Sequence, residues 1–316
     1  MVELDSRLHI VVATYNGARW IEKCLDSILN SSVKTKTWII DNNSEDETVQ
    51  LIKNHPLRPE LVVMKTNLGF GKANNIGVSR ALNDGAEIVF LLNQDAYLYS
   101  DTLQKMVEFH SSDSSFGILS PIHLDGMGDK LDYNFGRYYT DFRASSSLMT
   151  DALRRQLKSV YRLPFVNAAA WFIPRQTFEK IGGFDPLFSH YGEDDNFCQR
   201  LHFHGMQLGL VTDCFIRHDR GERDHTKPKL FSELELKVFE RKLKVRYADP
   251  SNPAFPEKYD EEMSNFLKWS NRNRIKMNSH SAKGYKLKAD IMKSLYQAIR
   301  DSRSKTSSAG AHYLDI

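Results

Sequence analysis

The chain has 316 residues, of which 41% are hydrophobic and 26% are charged, an ordinary composition for a globular protein. No stretch reaches the roughly 18 apolar residues that span a bilayer, and the first residues lack the apolar core of a signal peptide. We therefore expect a cytoplasmic protein. The three cysteines are widely spaced and form no CxxC pair, which argues against a disulfide framework and against a zinc site.

The charge is distributed unevenly along the chain. Residues 1–226 carry 24 Lys and Arg against 29 Asp and Glu, whereas residues 227–316 carry 19 against 11. Such a basic segment could meet nucleic acid, an anionic membrane surface or an acidic partner, or could simply be a solvated helical face. We favour the solvated face and expect no nucleic-acid partner.

Short apolar runs alternate with helix-like segments through the first hundred residues. This alternation predicts a parallel sheet with right-handed crossovers. Ser44 and Glu47 form an S-x-x-E pattern, which predicts a capping box on the second helix. The predicted strands are His9–Ala13, Trp38–Ile40, Leu61–Met64 and Ile88–Leu92.

Each of these strands is followed by a polar turn, and parallel strands deliver such turns to one edge of a sheet, where ligands bind. Asp95 could hold a divalent cation against a phosphate there, or could cap the next helix. Asp41 could accept the imide N–H of uracil or thymine, or could be a turn former. Gly69 and Gly71 could admit a phosphate to the backbone, although their spacing matches neither GxGxxG nor a P-loop.

A second informative block begins near residue 167. Trp171–Ile173 reads as a strand and Gln176–Lys180 as a short helix that stops at Gly182 and Gly183. Three consecutive acids, Glu193 to Asp195, then open another helix. Acids favour a helix N-terminus through the dipole and the unpaired N–H groups, which by itself could explain them.

The intervening and terminal parts of the chain are less regular in sequence. Residues 121–160 predict a loop with little regular structure. An apolar stripe in residues 236–247 predicts a basic amphipathic helix, residues 287–295 predict a later one, and residues 301–316 predict a disordered tail. We expect the stripe to pack on the preceding domain or on a second copy of the chain, with peripheral membrane contact as the alternative.

Four spaced motifs carry a resemblance. Thr14-Tyr-Asn-Gly17, Asp41-Asn-Asn-Ser44, Asn67-Leu-Gly-Phe-Gly-Lys-Ala-Asn-Asn-Ile-Gly77 and Leu91-Leu-Asn-Gln-Asp95 occur in this order. The chain resembles family 2 glycosyltransferases of the GT-A fold from about residue 8 to about residue 220, and within them the rhamnosyltransferase-like branch.

The resemblance implies an α/β fold, a GT-A type Rossmann-like mixed sheet flanked by helices. The catalytic domain would span residues 1–226, with a nucleotide-sugar half at about 1–120 and an acceptor half at about 121–226. A basic helical C-terminal extension, residues 227–316, would follow and end in the disordered tail.

The resemblance also implies the donor site. Asn93-Gln94-Asp95 stands where the family has its D-x-D motif, so Asn93 replaces the first acid. Mg²⁺ or Mn²⁺ would be held by Asp95 and His218, and would stabilise the charge of a departing nucleoside diphosphate. The residues expected to bind the nucleotide sugar are Thr14, Tyr15, Asn16, Asp41, Asn67, Gly69, Phe70, Lys72, Asn75, Asn93, Gln94 and Asp95.

The catalytic acids follow from the same comparison. The family's E-D motif falls on Glu193 and Asp194, which implies Asp194 as the general base, Glu193 as support and Asp195 as the first alternative. Asp195 and Trp171 are the residues we expect to contact the acceptor. A single base suits direct displacement with inversion, because retention would need a second positioned nucleophile.

We therefore predict an inverting, metal-dependent glycosyltransferase acting in surface polysaccharide assembly. It would move a sugar, with rhamnose as one candidate, from a UDP- or dTDP-sugar to a hydroxyl of a glycan or lipid-linked acceptor. One alternative is a sugar nucleotidyltransferase, but Thr14–Arg19 is a poor version of the glycine- and arginine-rich loop it requires. The other is a non-catalytic nucleotide-binding or scaffold protein. We expect the enzyme in the cytoplasm, with contact to the inner membrane face or self-association through the C-terminal helices.

Overall fold

The computed structural model describes residues 7–140, 147–220 and 227–316. Within these ranges nine strands form one mixed sheet, helices cover both of its faces, and further helices follow at the C-terminal end. The strands are β1 (Leu8–Thr14), β2 (Lys36–Asp41), β3 (Glu60–Val63), β4 (Ile88–Leu92), β5 (Ala96–Leu98), β6 (Ile118–Asp125), β7 (Val160–Leu163), β8 (Ala170–Pro174) and β9 (Leu208–His218). The helices are α1 (Ile21–Leu29), α2 (Thr48–Asn54), α3 (Phe70–Asn83), α4 (Thr102–Ser112), α5 (Tyr133–Thr140), α6 (Leu148–Leu153), α7 (Arg175–Ile181), α8 (Glu193–Phe203), α9 (Glu233–Ala248), α10 (Glu257–Ile275) and α11 (Ser279–Thr306).

The sheet has two parts of different character. The first four strands are parallel in the order β3-β2-β1-β4, which confirms the predicted crossover pattern. The sheet continues as β8-β6-β9-β5, and β7 pairs with β9. In this second part β8 is antiparallel to both β4 and β6, whereas β6 and β9 are parallel. The whole is the mixed α/β sheet that the sequence predicted.

The continuous apolar sequence of β4 reflects burial on both faces of the sheet. Ile88, Phe90 and Leu92 pack into one apolar cluster with α1 and α4. Val89 and Leu91 pack into a second cluster with α3, α7 and α8. Successive strand residues point to opposite faces of the sheet. A strand with helices on both faces is therefore buried at every position, which explains why all five residues of β4 are apolar.

The C-terminal helices form a third apolar cluster. Leu243 and Tyr247 of α9 meet Tyr259 of α10 and Met292 of α11, so the predicted stripe of α9 is largely used inside this bundle. Helix α10 was not predicted from the sequence. The predicted face of α11 needs correction, because Leu287 is exposed. No helix in the described ranges is long and apolar enough to cross a bilayer.

The predicted capping box on α2 is wrong. The helix begins at Thr48, one residue after Glu47, and Ser44 lies too far upstream to cap it. The N-cap position is Glu47, which makes no side-chain cap bond, and Asp46 Oδ1 accepts the Thr48 N–H at 3.0 Å. The Ser44 hydroxyl accepts the Asn16 N–H at 2.9 Å and so ties two loops together.

The predicted loop over residues 121–160 is also partly wrong. Strand β6 runs to Asp125, and helices α5 and α6 lie within the segment. Asp132 orders the start of α5 by accepting the Phe135 N–H at 2.8 Å. Short helices of this kind show only weak hydrophobic periodicity. They are therefore difficult to recognise in a sequence rich in glycines and polar residues.

The tail predicted to be disordered is ordered. Helix α11 continues to Thr306, and residues 307–316 run back across the catalytic part of the chain. The Gly183 N–H donates to the His312 carbonyl at 2.8 Å, and the Tyr313 hydroxyl donates to Asp185 at 3.1 Å. Polar composition concealed these contacts, since they are mostly hydrogen bonds. The predicted domain boundary at residue 226 lies outside the described residues.

Candidate active site

A cleft of about 1200 Å³ opens at the carboxyl ends of β1 and β4. Its walls come from those strand ends, from the N-termini of α3 and α8, and from one side of α9. Twelve predicted site residues therefore share one cavity. They are Thr14, Tyr15, Asn67, Gly69, Phe70, Asn93, Gln94, Asp95, Glu193, Asp194, Asp195 and His218.

Gln94 fastens the turn after β4 to the turn after β1. Its Oε1 accepts the Thr14 hydroxyl at 2.5 Å and the Tyr15 N–H at 3.0 Å, while its Nε2 donates to the Tyr15 carbonyl at 3.3 Å. This arrangement leaves Tyr15 43% exposed at the cleft wall. An exposed, held aromatic ring is suited to stack against a planar base.

Asp95 lies in a chain of polar contacts that crosses the floor of the cleft. Its Oδ1 is 3.4 Å from His218 Nε2, and Arg220 Nε donates to His218 Nδ1 at 3.2 Å. The Arg220 guanidinium also contacts Asp132 Oδ2 at 3.0 Å. Burial raises the pKa of Asp95, but the hydrogen bond from His218 and the nearby cations outweigh it and hold the pKa below its usual value. Asp95 is therefore ionised at neutral pH.

The residues present fit a divalent cation in part. Asp95 and His218 offer two adjacent donors, and the Oδ1 of Asn93 is buried in the same cleft without a partner among the described residues. No group of three or more His, Cys, Asp or Glu in the described ranges could hold a metal. A divalent cation at Asp95 would therefore need further ligands from water or substrate.

Two features position the acids at the opposite wall. Gly192 precedes α8 with φ +92°, a left-handed conformation that turns the chain into the helix. The turn before it is held by Asn75, whose Oδ1 accepts the Phe184 N–H at 2.7 Å and whose Nδ2 donates to the Phe184 carbonyl at 2.8 Å. Fully buried Arg200 adds a bond of 2.6 Å to the Gly183 carbonyl. The start of α8 is therefore held in place by hydrogen bonds on the side away from the cleft.

The three acids differ in their surroundings. Burial and the neighbouring Asp194 charge raise the pKa of Glu193 to about 8, with Arg241 opposing. The same causes raise the pKa of Asp195 to about 7. Burial raises the pKa of Asp194 too, but the backbone N–H groups of Asp195, Asp194 and Ala168, together with Arg220, favour its ionised form. Asp194 is thus the acid with the most groups placed to stabilise a carboxylate.

Two predicted ligand contacts need correction. Trp171 is fully buried in the middle of β8, stacks on Phe184 at 6.1 Å and is absent from the cleft wall. Its strand position points the side chain into the core, so the acceptor contact is not supported. Asn75 is also buried, and both ends of its amide are used by Phe184. Its role is to hold the turn before α8.

Three other predicted donor residues lie beside the cleft rather than on its wall. Asp41 is fully buried; its Oδ2 accepts the Ser44 N–H at 2.9 Å, and its Oδ1 has no partner among the described residues. Asn42, the next residue, lines the cleft instead. Asn16 accepts the Glu45 N–H at 2.9 Å. Lys72 is exposed on α3.

The sequence analysis missed one wall of the cleft. Arg241, Lys242, Val245 and Arg246 of α9 line it, and the Arg241 guanidinium lies 5.4 Å from the ring centre of Tyr191. The basic character of this helix was visible in the sequence. The element that the basic side of the helix faces was not visible, because periodicity shows which side of a helix is apolar but not what lies opposite its polar side.

Comparison with known proteins agrees with this geometry. Glycosyl transferase family 2 matches residues 9–182, more than half of the chain, and the N-terminal domain of galactosyltransferase matches residues 159–226. The dTDP-rhamnosyl transferase RfbF of Shigella flexneri is 22% identical over 232 residues, which cover 70% of this chain and 71% of that protein.

Two solved structures have a similar fold. S. aureus TarS 1-349 in complex with UDP superposes with a TM-score of 0.55 at 13% identity, covering 93% of this chain and 91% of that one. The mannosyltransferase PcManGT of Pyrobaculum calidifontis, in complex with GDP-Man and Mn²⁺, gives 0.53 at 20% identity, covering 92% and 75%. At these identities the likeness concerns the fold.

A parallel four-strand unit extended into a mixed sheet, with a cleft at the strand ends, together with the family match over residues 9–182 identifies a glycosyltransferase of the GT-A type. The chain belongs to glycosyl transferase family 2. Within that family it is similar to rhamnosyltransferases.

Proposed function

We propose that the enzyme transfers a sugar from a UDP- or dTDP-sugar to a hydroxyl of a glycan or lipid-linked acceptor, with inversion at the anomeric carbon. The observation that carries this proposal is the shared cleft of Asp95 and Asp194. Arg220 stabilises the ionised form of both carboxylates. Rhamnose is the leading candidate sugar, since the relative RfbF is a dTDP-rhamnosyl transferase.

The donor would occupy the side of the cleft formed by the turns after β1, β2 and β4. Tyr15 offers a ring face for the base, and the unpartnered Asn93 Oδ1 can accept from a ribose hydroxyl. Gly69, with φ +85°, immediately precedes α3 and lines the cleft. The N–H groups at the start of this helix could therefore bind a phosphate. Asp41 remains our candidate for the imide N–H of the base through its unpartnered Oδ1.

A Mg²⁺ or Mn²⁺ ion would be held by Asp95 and His218. When bound, it supplies positive charge that stabilises the departing diphosphate. Arg220, fixed by Asp132, adds a permanent positive charge on the same side of the cleft. Arg220 Nε donates to His218 Nδ1 and so fixes the orientation of the imidazole, which leaves the Nε2 proton facing Asp95. A metal ion held through Nε2 would take the place of that proton.

Asp194 takes the proton in the proposed step. The acceptor oxygen attacks the anomeric carbon, its proton passes to the Asp194 carboxylate, and the bond from that carbon to the diphosphate oxygen breaks. Burial raises the pKa of Asp194, with three backbone N–H groups and Arg220 opposing the rise, and a raised pKa makes its carboxylate a stronger base. Asp195, whose pKa is raised to about 7, is the alternative base.

The test pairs two neighbouring variants, Asp194→Asn and Asp195→Asn. We expect Asp194→Asn to reduce turnover about 10²–10⁴-fold, the usual contribution of a general base, while thermal shift with UDP or dTDP and Mn²⁺ stays as in the parent. Asp195→Asn should retain most turnover. If Asp195→Asn is the inactive variant, the base assignment moves there.

The same assay examines the non-catalytic alternative. A parent chain that binds nucleotides but neither hydrolyses nor transfers any sugar from a panel of UDP- and dTDP-sugars would favour a scaffold. Failure to bind either nucleotide would refute the donor assignment.

A further inference from the structure

The turn between α10 and α11 carries the most exposed apolar side chains of the C-terminal helices. Ile275 is 84% exposed and Met277 is 93% exposed. Ile275 is the last residue of α10, and Met277 lies two residues before the first residue of α11. Two aliphatic side chains at a helix–helix turn, both in water, leave apolar area that a partner could cover.

The surrounding segment is acid-free. Residues 263–289 contain no Asp or Glu, although the whole chain has 40 of them. Cations flank the exposed apolar residues on both helices. They are Lys268, Arg272, Arg274, Lys276, Lys283 and Lys286.

An aromatic groove lies beside the turn. Trp269 and Tyr285, with ring centres 5.5 Å apart, line a groove of about 270 Å³ together with Arg272 and Lys276. Trp269 keeps 44% of its surface exposed. Rings with one apolar and one polar side, next to cations, are typical of the headgroup level of a bilayer.

The turn is presented on a rigid support. The Ser270 hydroxyl donates to the Ala282 carbonyl at 2.8 Å and ties α10 to α11, and Asn278 caps α11 by accepting the Ser281 N–H at 3.1 Å. Lys288 joins α11 to α9 through Glu235 at 2.6 Å. Since the stripe of α9 is buried in the bundle, the predicted membrane contact does not fall on that helix.

We propose that the α10–α11 turn is a docking surface for an anionic membrane, with Ile275 and Met277 entering the interface and the surrounding cations contacting lipid phosphates. The exposed aliphatic residues distinguish this partner from nucleic acid, which would use the charge alone. The uniform positive charge disfavours a second copy of the same surface, because like charges repel. The combination of both features fits an anionic leaflet.

Docking would also orient the cleft. Helix α9 packs on α11 and supplies one cleft wall through Arg241 and Lys242, so a bundle fixed to the membrane would hold that wall in a fixed orientation relative to it. A lipid-linked acceptor would be delivered there. This last step rests on the proposed function, whereas the docking surface itself does not.

The experiment is co-sedimentation of the full chain with vesicles of phosphatidylcholine, with and without phosphatidylglycerol, at low and high salt. We expect binding only to the anionic vesicles, weakened by salt. Arg274→Gln/Lys276→Gln should reduce affinity roughly fivefold per cation removed. Ile275→Ser/Met277→Ser should reduce it at least about tenfold, since apolar insertion is lost.

Two control variants test whether the effect depends on the location of the substituted residues at the α10–α11 turn. Leu153→Ser removes an equally exposed apolar side chain, 79% exposed on α6, and Lys237→Gln removes an exposed cation of α9; both should bind as the parent does. All variants should keep the parental melting temperature and the parental thermal shift with UDP or dTDP. That shift reports the donor site alone, so its loss would refute the proposed function and not the docking surface.

Three results would overturn the docking proposal. The first is a parent chain that does not bind anionic vesicles at low salt. The second is equal vesicle binding by the parent and both turn variants. The third is a dimer, seen by light scattering, that Ile275→Ser/Met277→Ser abolishes while vesicle binding is absent, which would assign the surface to a second copy.

Discussion

Replacing Glu193 by Gln tests the electrostatics of the active-site cleft directly. Glu193 is buried at the first turn of α8, and its Oε2 has no hydrogen-bond partner among the described residues. Burial and the charge of Asp194 raise its pKa from 4.5 to about 8. At neutral pH the folded protein therefore holds a proton on this residue that the unfolded chain releases.

The sign of the pH effect follows. Between pH 4.5 and about 8 the folded state binds more protons at Glu193 than the unfolded state, so the free energy of unfolding falls as pH rises through this window. Each tenfold change in proton affinity is worth about 1.4 kcal/mol, which gives a loss on the order of 5 kcal/mol across the window. Glutamine cannot ionise, so Glu193→Gln should remove this part of the dependence.

The measurement is chemical unfolding of parent and variant across this pH range. We expect similar stability at acidic pH and a more stable variant above neutrality, with Asp194 and Asp195 still contributing a slope in the same direction. Glu233→Gln is the matched control, because Glu233 also lies in the first turn of a helix but is exposed. An unchanged pH slope in Glu193→Gln, or a variant that is less stable at alkaline pH, would refute the reasoning.

Two further predictions concern the backbone around the cleft. Gly69→Ala should weaken nucleotide binding in a thermal-shift titration and cost at least about 1–2 kcal/mol of stability, because Gly69 has φ +85° and an added Cβ would meet the Ser189 carbonyl. Gly85→Ala is its control, with φ +92° but nothing within 4 Å, so it should leave nucleotide binding intact; equal binding losses would contradict the argument. Removing residues 307–316 should lower stability in urea by at least about 2 kcal/mol, since the bonds to Gly183 and Asp185 disappear. Tyr313→Phe should reproduce about half of this loss, and no loss from the deletion would mean that these contacts are not stabilising.

The sequence predicted the parts of the fold that depend on local pattern. The run Ile88–Leu92 has no polar position and was predicted correctly as a strand, which the structure buries on both faces. Gly182 was placed correctly as the end of α7, where it adopts φ +76°. In both cases a local physical requirement determines the residue type. Burial on both faces of a sheet requires apolar residues, and a helix C-cap with positive φ favours glycine.

The errors arise where a residue's role depends on distant partners. Asn75 and Trp171 stand in motif-bearing stretches, yet one holds a turn 109 residues away and the other packs in the core. Arg241 lies beyond the segment matched to the family and still forms a cleft wall. Composition also misled for residues 307–316, because hydrogen bonds to Lys180 and Gly183 help to hold them in place, together with the packing of the single residue Leu314 against the second apolar cluster.

The return of those terminal residues to Gly183 has a consequence for folding kinetics. The contact closes a loop of about 130 residues, and such a closure is entropically costly, so it forms late. The turn that leads to Asp194 therefore gains its last hydrogen bonds only after α9, α10 and α11 have assembled. We therefore expect the proposed base, Asp194, to reach its final position late in folding, and to lack it in a chain whose helical bundle is unfolded.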